Sequence, residues 1–504
     1  MIYRPPFPKH MWDCTLFYDK PDYHLFYLSD GNIGHSSTRD FIHFIEYPDI
    51  EGHGESGSWN SIGLPLTGTL VKTDTGYKML LGSIEPVHNR QVYGLYTSSD
   101  LIHWKEYEQN PVLKADGIIY QKETNPRDWN MYTAWRDPYV VGKEGDWYIL
   151  CMCARLQKHD ANSTGAAVAK IKTKDFIRFE YCPPYSEVGD FTKYAECPDI
   201  FVLNGKKYLL FLDHAWGGLH PFTKSRHLPA GTFYQVYDEQ TKAFVFQNER
   251  LLLGSANNRQ CAWAARSVLG ENEQRLLYYH ITAEFPSFGI PKIIHSDKDG
   301  SLHLSYFPQT DNLCAETIFP HPTPLPGDCG HWKFENDRFL GKAQIYGSAL
   351  PIATAENCMF ECDITLKRGL KAGFAFWHGA DERIGGVTVW LDAETNRIYA
   401  AWEHYRDHEG FGDLQDDVVN GGTLRECDEK FFPAEYNTPY RFKVIAKDKT
   451  VDVYLNDEWV ICKRFPMCAD SGYVSLLTQN ADAEFSVVRF CTLKNPVIEK
   501  YDEI

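Results

Sequence analysis

Apolar runs of about four to eight residues, rich in Val, Ile, Tyr, Phe and Trp, alternate along the chain with clusters of Gly, Asn, Asp and Pro. Apolar positions at helical spacing are almost absent, so the pattern predicts an all-β chain. Three stretches share one order: "MWDCTLFYDKPDYHLFYL" around Asp13, "WRDPYVVGKEGDWYILCMCA" around Asp137, and "YAECPDIFVLNGKKYLLFLDH" around Glu196. Each reads acid, apolar strand, polar turn, apolar strand. A shorter motif also recurs: "STRDFIHF" ends at Phe44, "SSDLIHW" at Trp104 and "TKDFIRF" at Phe179. Spacings of roughly sixty and seventy-five residues suit propeller blades with long loops, each blade a four-stranded antiparallel sheet. The strand pairs in "GTFYQVYDEQTKAFVFQ", "QRLLYYHITAEF" and "SLHLSYFP" continue the series, so the sequence predicts a five-bladed β-propeller over residues 1–310.

The pattern then changes. The prolines between Phe319 and Gly327 suit an interdomain linker, placed at 311–335. Beyond it the apolar alternation is longer and cleaner, as in "MFECDITLK", "AGFAFWHG" and "YRFKVIAKDKTVDVYLNDEWV". Many strands without helices predict a two-sheet β-sandwich over 336–504. Its acidic stretch "HEGFGDLQDDVVNGG" is expected to be solvated.

Composition narrows the function. A net charge of −17 argues against nucleic acid and against an anionic membrane surface as partner. No apolar run approaches the roughly 20 residues of a membrane span, and the N-terminal segment has no apolar core of a secretion signal. The fourteen cysteines are scattered without a CxxC pair or a zinc spacing. They are expected to be buried reduced thiols of a cytoplasmic protein. None of the nineteen histidines forms an HExxH-type set. Neither a metal nor another cofactor is expected, and no oligomeric state is encoded in the pattern.

The three acids give the sharpest clue. In a propeller the innermost strands run in one direction along the channel, so their heads meet at one mouth. Asp13, Asp137 and Glu196 are therefore expected to converge, although they lie far apart in sequence. Three carboxylates in one funnel repel one another, an arrangement suited to chemistry and not to stability. Two such groups flanking a glycosidic bond can hydrolyse it, one as acid and one as nucleophile. A third can hold sugar hydroxyls. Trp12, Trp59 and Trp135 would offer apolar faces to sugar rings. Each residue also has an ordinary explanation. Asp137 precedes Pro138, as turn aspartates often do, and Arg136 can simply pair with it. Asp199 reads as support for a turn or ladder.

Beyond these residues, "WRDPYVV" and "AECPDIF" resemble the RDP and ECPD motifs of glycoside hydrolase family 32, the invertases, levanases and inulinases. "DCTLFYDKPDYHLFYL", "GHSSTRDFIHF", "LTGTLV" and "FGIPKIIHSDKDGSLHLSYFP" resemble other family segments, in order along the chain. The C-terminal part resembles the concanavalin-like sandwich that accompanies this propeller. The resemblance implies exo-acting, retaining hydrolysis of β-fructofuranosides such as sucrose or fructo-oligosaccharides. Asp13 would be the nucleophile, Glu196 the acid/base and Asp137 the transition-state stabiliser. Arg136, Cys197 and Thr67 would line the pocket. The chain departs from the family pattern at Trp12, Cys14 and Leu28, where Asn, Pro and Gln are usual, so sugar recognition is expected to differ. An arabinofuranosidase-like enzyme, a fructosyltransferase and a non-catalytic carbohydrate-binding protein remain the alternatives.

Overall fold

A computed structural model describes residues 2–123, 134–159, 165–187, 195–213, 230–244, 250–255, 261–283, 286–325, 328, 330–379, 386–402, 427–466 and 468–501. The chain is all-β and forms two compact units. One unit comprises Ile2–Leu253, Ala262–His303 and Pro496–Ile504; the other comprises Gly254–Cys261 and Leu304–Asn495, with Met1.

The first unit is a β-propeller built from antiparallel sheets. Sheet one contains β1 (Cys14–Asp19), β2 (Asp22–Ser29), β3 (Asn32–Thr38) and β4 (His43–Ile50). Sheet two contains β5 (Leu66–Thr73), β6 (Gly76–Glu85), β7 (Arg90–Ser98) and the short β8 (Lys105–Glu106). Sheet three contains β9 (Trp135–Glu144), β10 (Trp147–Arg155), β11 (Ala166–Thr173) and β12 (Phe179–Glu187). Sheet four contains β13 (Glu196–Leu203), β14 (Lys206–Asp213), β15 (Ala230–Asp238) and β16 (Ala243–Phe244), with β17 (Arg250–Ser255) also on β15. Apolar clusters fill the spaces between sheets one and two, two and three, and three and four. The last strand of the chain, Val497–Lys500, adds to sheet one in parallel beside β4.

The expectation of five blades is corrected to four. After β18 (Ala262–Leu269) and β19 (Arg275–Ile281), the third strand of the expected fifth blade is broken in two. One end of β19 pairs with β20 (Ser287–Phe288) and the other with β21 (Lys292–Ser296). Pro291 lies in the gap and has no N–H to offer a ladder, which explains the break. Among the described residues, no separate four-stranded sheet forms there. β18 still closes the centre of this unit: β1 touches β5, β5 touches β9, β9 touches β13, β13 touches β18, and β18 touches β1.

The recurring short motif is one turn used three times, joining the third and fourth strands of sheets one to three. In each, an Asp side chain accepts bonds from the backbone N–H groups two and three residues on. Asp40 serves Ile42 and His43, Asp100 serves Ile102 and His103, and Asp175 serves Ile177 and Arg178. A Ser or Thr hydroxyl two residues before each Asp receives the N–H of the residue after it. That residue, Phe41, Leu101 or Phe176, has a positive φ near 61°, 67° and 64° and is buried. The Asx-type bonds hold a backbone shape that a bulky residue seldom adopts.

The second unit is organised around three long antiparallel strands, Arg338–Ala355, Cys358–His378 and Gly472–Leu493. The Cys358–Thr365 part of the second strand pairs with Pro439–Lys447, and its Lys371–Phe376 part pairs with Val387–Asp392. Side chains from both arms, among them Phe360, Phe374, Val389, Phe442 and Val453, share one apolar core. The stretch read as a linker contains two strands, Cys314–Thr317 and His331–Glu335, each paired within this unit. The expectation of uniformly reduced thiols is also corrected. Cys314 and Cys491 are joined by a disulfide because their antiparallel strands bring them together, with Cα atoms 5.8 Å apart. The acidic stretch at 408–422 lies outside the described residues. Among the described residues, no helix is long and apolar enough to cross a membrane.

Candidate active site

The site is built at the heads of the innermost strands. Asp13 immediately precedes β1, Thr67 and Gly68 lie at the start of β5, Arg136 and Asp137 start β9, and Glu196 and Cys197 start β13. The ladder is irregular at several of these heads. Glu196 faces Leu212 and Asp199 faces Leu210, so β13 has one residue more than its partner over that interval. β5, β9 and β18 carry shifts at comparable places, while β1 pairs without interruption. Such bulges bend a strand and re-aim its side chains. Asp137, Cys197 and Ala264 occupy them with φ of 58°, 49° and 52°. Pro138 and Pro198 directly follow two of these residues, and Pro is tolerated in a strand at such breaks.

The bulges also release backbone donors that the site uses. The N–H of Cys197 donates to Asp137 Oδ2 at 3.0 Å, and the N–H of Asp137 donates to the Tyr93 hydroxyl oxygen at 2.8 Å. The Tyr93 hydroxyl in turn donates to the carbonyl of Thr67 at 3.2 Å. Thr67 Oγ1 donates to Asp13 Oδ2 at 2.7 Å, and Cys197 Sγ lies 4.0 Å from the same oxygen. Arg136 binds Glu196 Oε1 through Nη2 at 2.5 Å and approaches Asp137 Oδ2 through Nε at 3.7 Å. The three acids named from sequence are thus joined by contacts, with Arg136, Thr67 and Cys197 among them.

Their environments differ. The side chains of Asp13 and Glu196 are 32% and 22% exposed, whereas that of Asp137 is 5% exposed. Solvent, and hence a substrate, reaches the first two more readily. Burial pushes the Asp13 carboxyl above the ordinary aspartate range; the Thr67 bond opposes this and the charge of Glu196 adds to it. Burial raises Asp137 to about 6, against the pull of Arg136 and Arg266 and with a push from Glu196 and Asp13.

Of the expected sugar platforms, Trp12 is 45% exposed and sets its ring edge-on to His280 with centroids 6.4 Å apart. Trp59 lies toward the outer side of sheet two, where its indole N–H donates to Glu106 on β8 at 2.8 Å. No contact between Trp59 and the acids is present among the described residues. Trp135 is corrected: it is fully buried in the core between sheets two and three and presents no face to a ligand. Asp199 is buried and accepts from the N–H and hydroxyl of Ser267, which ties β13 to β18. Leu28 lines a small cavity together with Asp13 and Thr15. Among the described residues, no group of His, Cys, Asp and Glu is arranged to hold a metal ion.

Three residues not singled out in the sequence belong to the site. Tyr93 connects Thr67 to Asp137, as above. Arg266 is fully buried and donates to the carbonyls of Asp137 at 2.7 Å and Gly68 at 3.1 Å, pinning two strand heads at once. His280 places Nδ1 3.6 Å from Asp13 Oδ1. A charge in "CAWAARSV" and an imidazole in "LLYYHI", both inside otherwise apolar strands, are the signals that could have found the last two.

Residues 13–279 match the model of the N-terminal domain of glycosyl hydrolases family 32. A sucrose-6-phosphate hydrolase of Vibrio alginolyticus is 22% identical over 300 residues, which make up 56% of this chain and 56% of that protein. The match thus spans about half the length of that relative. Among solved structures, fructan 1-exohydrolase IIa of Cichorium intybus superposes with a TM-score of 0.70 at 14% identity, covering 99% of this chain and 98% of that one. A β-fructofuranosidase of Bombyx mori superposes with a TM-score of 0.64 at 16% identity, covering 98% and 95%. At these identities the structural likeness speaks for the fold. The family model spans more than half of the chain, and the protein accordingly belongs to glycosyl hydrolase family 32, a family of glycosidases.

Proposed function

We propose that this chain is a fructofuranosidase of the invertase-like type, a hydrolase that removes terminal β-fructofuranosyl units with retention. The observation that carries the reading is the joining of three carboxylates from three different strand heads, with one oxygen of Asp13 held and the other left for chemistry. Thr67 donates to Oδ2, which supports Oδ1 as the attacking atom in this reading. In the first step Asp13 Oδ1 bonds to the anomeric carbon, the glycosidic C–O bond breaks, and the leaving oxygen takes the proton of Glu196. In the second step Glu196 takes a proton from water, the hydroxide attacks the same carbon, and Asp13 departs as carboxylate. Asp137 stabilises the charged intermediate state through the sugar, and Arg136 orients Glu196.

The names of the relatives, a sucrose-6-phosphate hydrolase and a fructan exohydrolase among them, support this substrate class. The second unit, with two strand arms around a single core, suits the accompanying β-sandwich. A cytoplasmic location and short imported substrates belong to the same reading. The test is hydrolysis by purified protein of sucrose, sucrose 6-phosphate, kestoses, inulin, levan and arabinofuranosides. Release of fructose or fructose-containing product from at least one fructoside is expected. Activity on arabinofuranosides alone, or on no furanoside, would replace the reading.

A further inference from the structure

His280 sits on β19, inside the apolar run "LLYYHI", and is 3% exposed. Its Nδ1 has no hydrogen-bond partner, an unfavourable state for a buried polar atom. The nearest charged atom is Asp13 Oδ1 at 3.6 Å, beyond hydrogen-bond length. That oxygen is the one that Thr67 leaves free. Trp12 closes one side of the imidazole edge-on. The two atoms that lack a close partner thus face each other across a gap. An oxygen set about 2.8 Å from both would satisfy the imidazole and the carboxylate together.

We propose that His280 is a specificity-determining residue that hydrogen-bonds, through Nδ1, a hydroxyl of the furanoside on a carbon adjacent to the one Asp13 attacks. The inference rests on the fructofuranosidase reading and adds to it a residue outside the acid triad and the RDP and ECPD motifs. Burial alone lowers the imidazole pKa to about 4, so the ring is neutral at working pH and can donate or accept at Nδ1. A neutral ring also leaves the Asp13 charge uncompensated for attack. Without its polar atom the site would lose one of the contacts that tell a hydroxyl from a hydrogen, a discrimination that buried polar groups make strongly.

The experiment compares the parent with His280→Asn, His280→Gln and His280→Phe on the best fructoside from the screen and on its singly deoxygenated ring analogues. Asn places an amide near the position of Nδ1, Gln places it near Nε2, and Phe keeps the ring without polarity. Expected are kcat/KM values within about threefold of the parent for His280→Asn, and losses of about 10–100-fold for His280→Gln and His280→Phe. One deoxy analogue should be poor for the parent but no poorer than the complete sugar for His280→Phe, which identifies the hydroxyl. If the parent hydrolyses fructosides and His280→Phe matches it on every analogue, the inference is overturned while the reading stands. Equal losses for Asn and Gln with unchanged discrimination among analogues also overturn it, because they would mark a packing role. Should His280→Phe fail to fold, the Asn and Gln pair decides alone. A parent without furanosidase activity overturns the reading and the inference together.

Discussion

Two sets of aspartates in the propeller unit lie in opposite electrostatic conditions. Asp40, Asp100 and Asp175, in the repeated turns, have carboxyl pKa values held below the ordinary range: partial burial works against them, but backbone N–H donors and neighbouring basic side chains prevail. Asp13 and Asp137, at the strand heads, are pushed above it, because burial outweighs the donors and cations around them. The same side chain stabilises the fold where the backbone supplies its hydrogen bonds. Where it is buried beside other acids, it holds a poised charge at a cost in stability. In the proposed mechanism the turns serve the architecture and the strand heads serve the chemistry, and substitutions should separate the two.

The largest effect is expected at Asp13. Asp13→Asn should abolish turnover of both natural fructosides and activated aryl fructosides, since no covalent intermediate can form. Single-turnover assays on both substrate types check this; near-normal rates would remove Asp13 from the nucleophile role. Glu196→Gln keeps the shape and removes the proton donor. It should slow natural substrates by about 10²–10⁴-fold while partly sparing an aryl fructoside whose leaving group needs no proton. Equal losses on both would argue against an acid/base role. With the parent, product analysis by NMR at early times should show the β-anomer of fructose, as retention requires.

Asp137 sharpens the comparison because activity and stability should move in opposite directions. Asp137→Asn should lower the rate without changing the stereochemistry. The same change should stabilise the protein at pH 7 by about 3 kcal/mol, because the native state no longer holds a buried charge. The sign follows from proton binding. The native carboxyl titrates at about 6 and the unfolded one near the usual 3.8. Between these values the native state binds more protons, so parent stability falls as pH rises from about 4 to 6. The advantage of Asp137→Asn should therefore vanish below about pH 4, as urea titrations at several pH values would show. A variant less stable than the parent at pH 7 would mean that the charge pairing with Arg136 outweighs burial.

The distribution of what could be foreseen follows the same division. The repeated turn was visible because its chemistry is local: Asp, a Ser or Thr two residues before it, and a bulky residue after it act within one short segment. The acids at the strand heads were visible because each precedes an apolar strand, and two are followed within two residues by a proline that marks a bulge. Trp135 was misplaced because an aromatic beside a catalytic-looking Arg-Asp pair points to either side of a strand, and the bulge decides which. Arg266, Tyr93 and His280 reach the site from strands distant in sequence, so only the packing of the sheets within the propeller brings them to Asp137 and Asp13. The fifth blade was overcounted because short apolar runs show that strands exist but not how they pair, and Pro291 divides one partner. The bridge between Cys314 and Cys491 depends on a pairing across widely separated strands, which no spacing reveals.

The smallest effect tests the other half of the comparison. Asp100 accepts from the N–H groups of Ile102 and His103, from the Ser98 hydroxyl, and contacts His103 Nδ1 at 2.8 Å. Its side chain is 44% exposed, so solvent screens much of that advantage. Asp100→Ala should lower stability by about 0.5–1.5 kcal/mol, in the range of a lost capping or turn acceptor. Asp100→Asn should recover part of this, because an amide oxygen still accepts from the backbone. Here the native pKa is depressed, so the stabilising contribution is present above the unfolded pKa near 3.8 and is lost as pH falls below it. That dependence is the reverse of the one expected for Asp137. Neither substitution should change kcat/KM on any fructoside, because the turn lies between the third and fourth strands of its sheet while the proposed catalytic acids lie at the heads of first strands. Urea midpoints against pH for Asp100→Ala and Asp137→Asn, measured side by side with kcat/KM, should give opposite slopes. If Asp100→Ala instead lowered kcat/KM by more than about threefold at unchanged stability, the separation of turn aspartates from catalytic ones would fail.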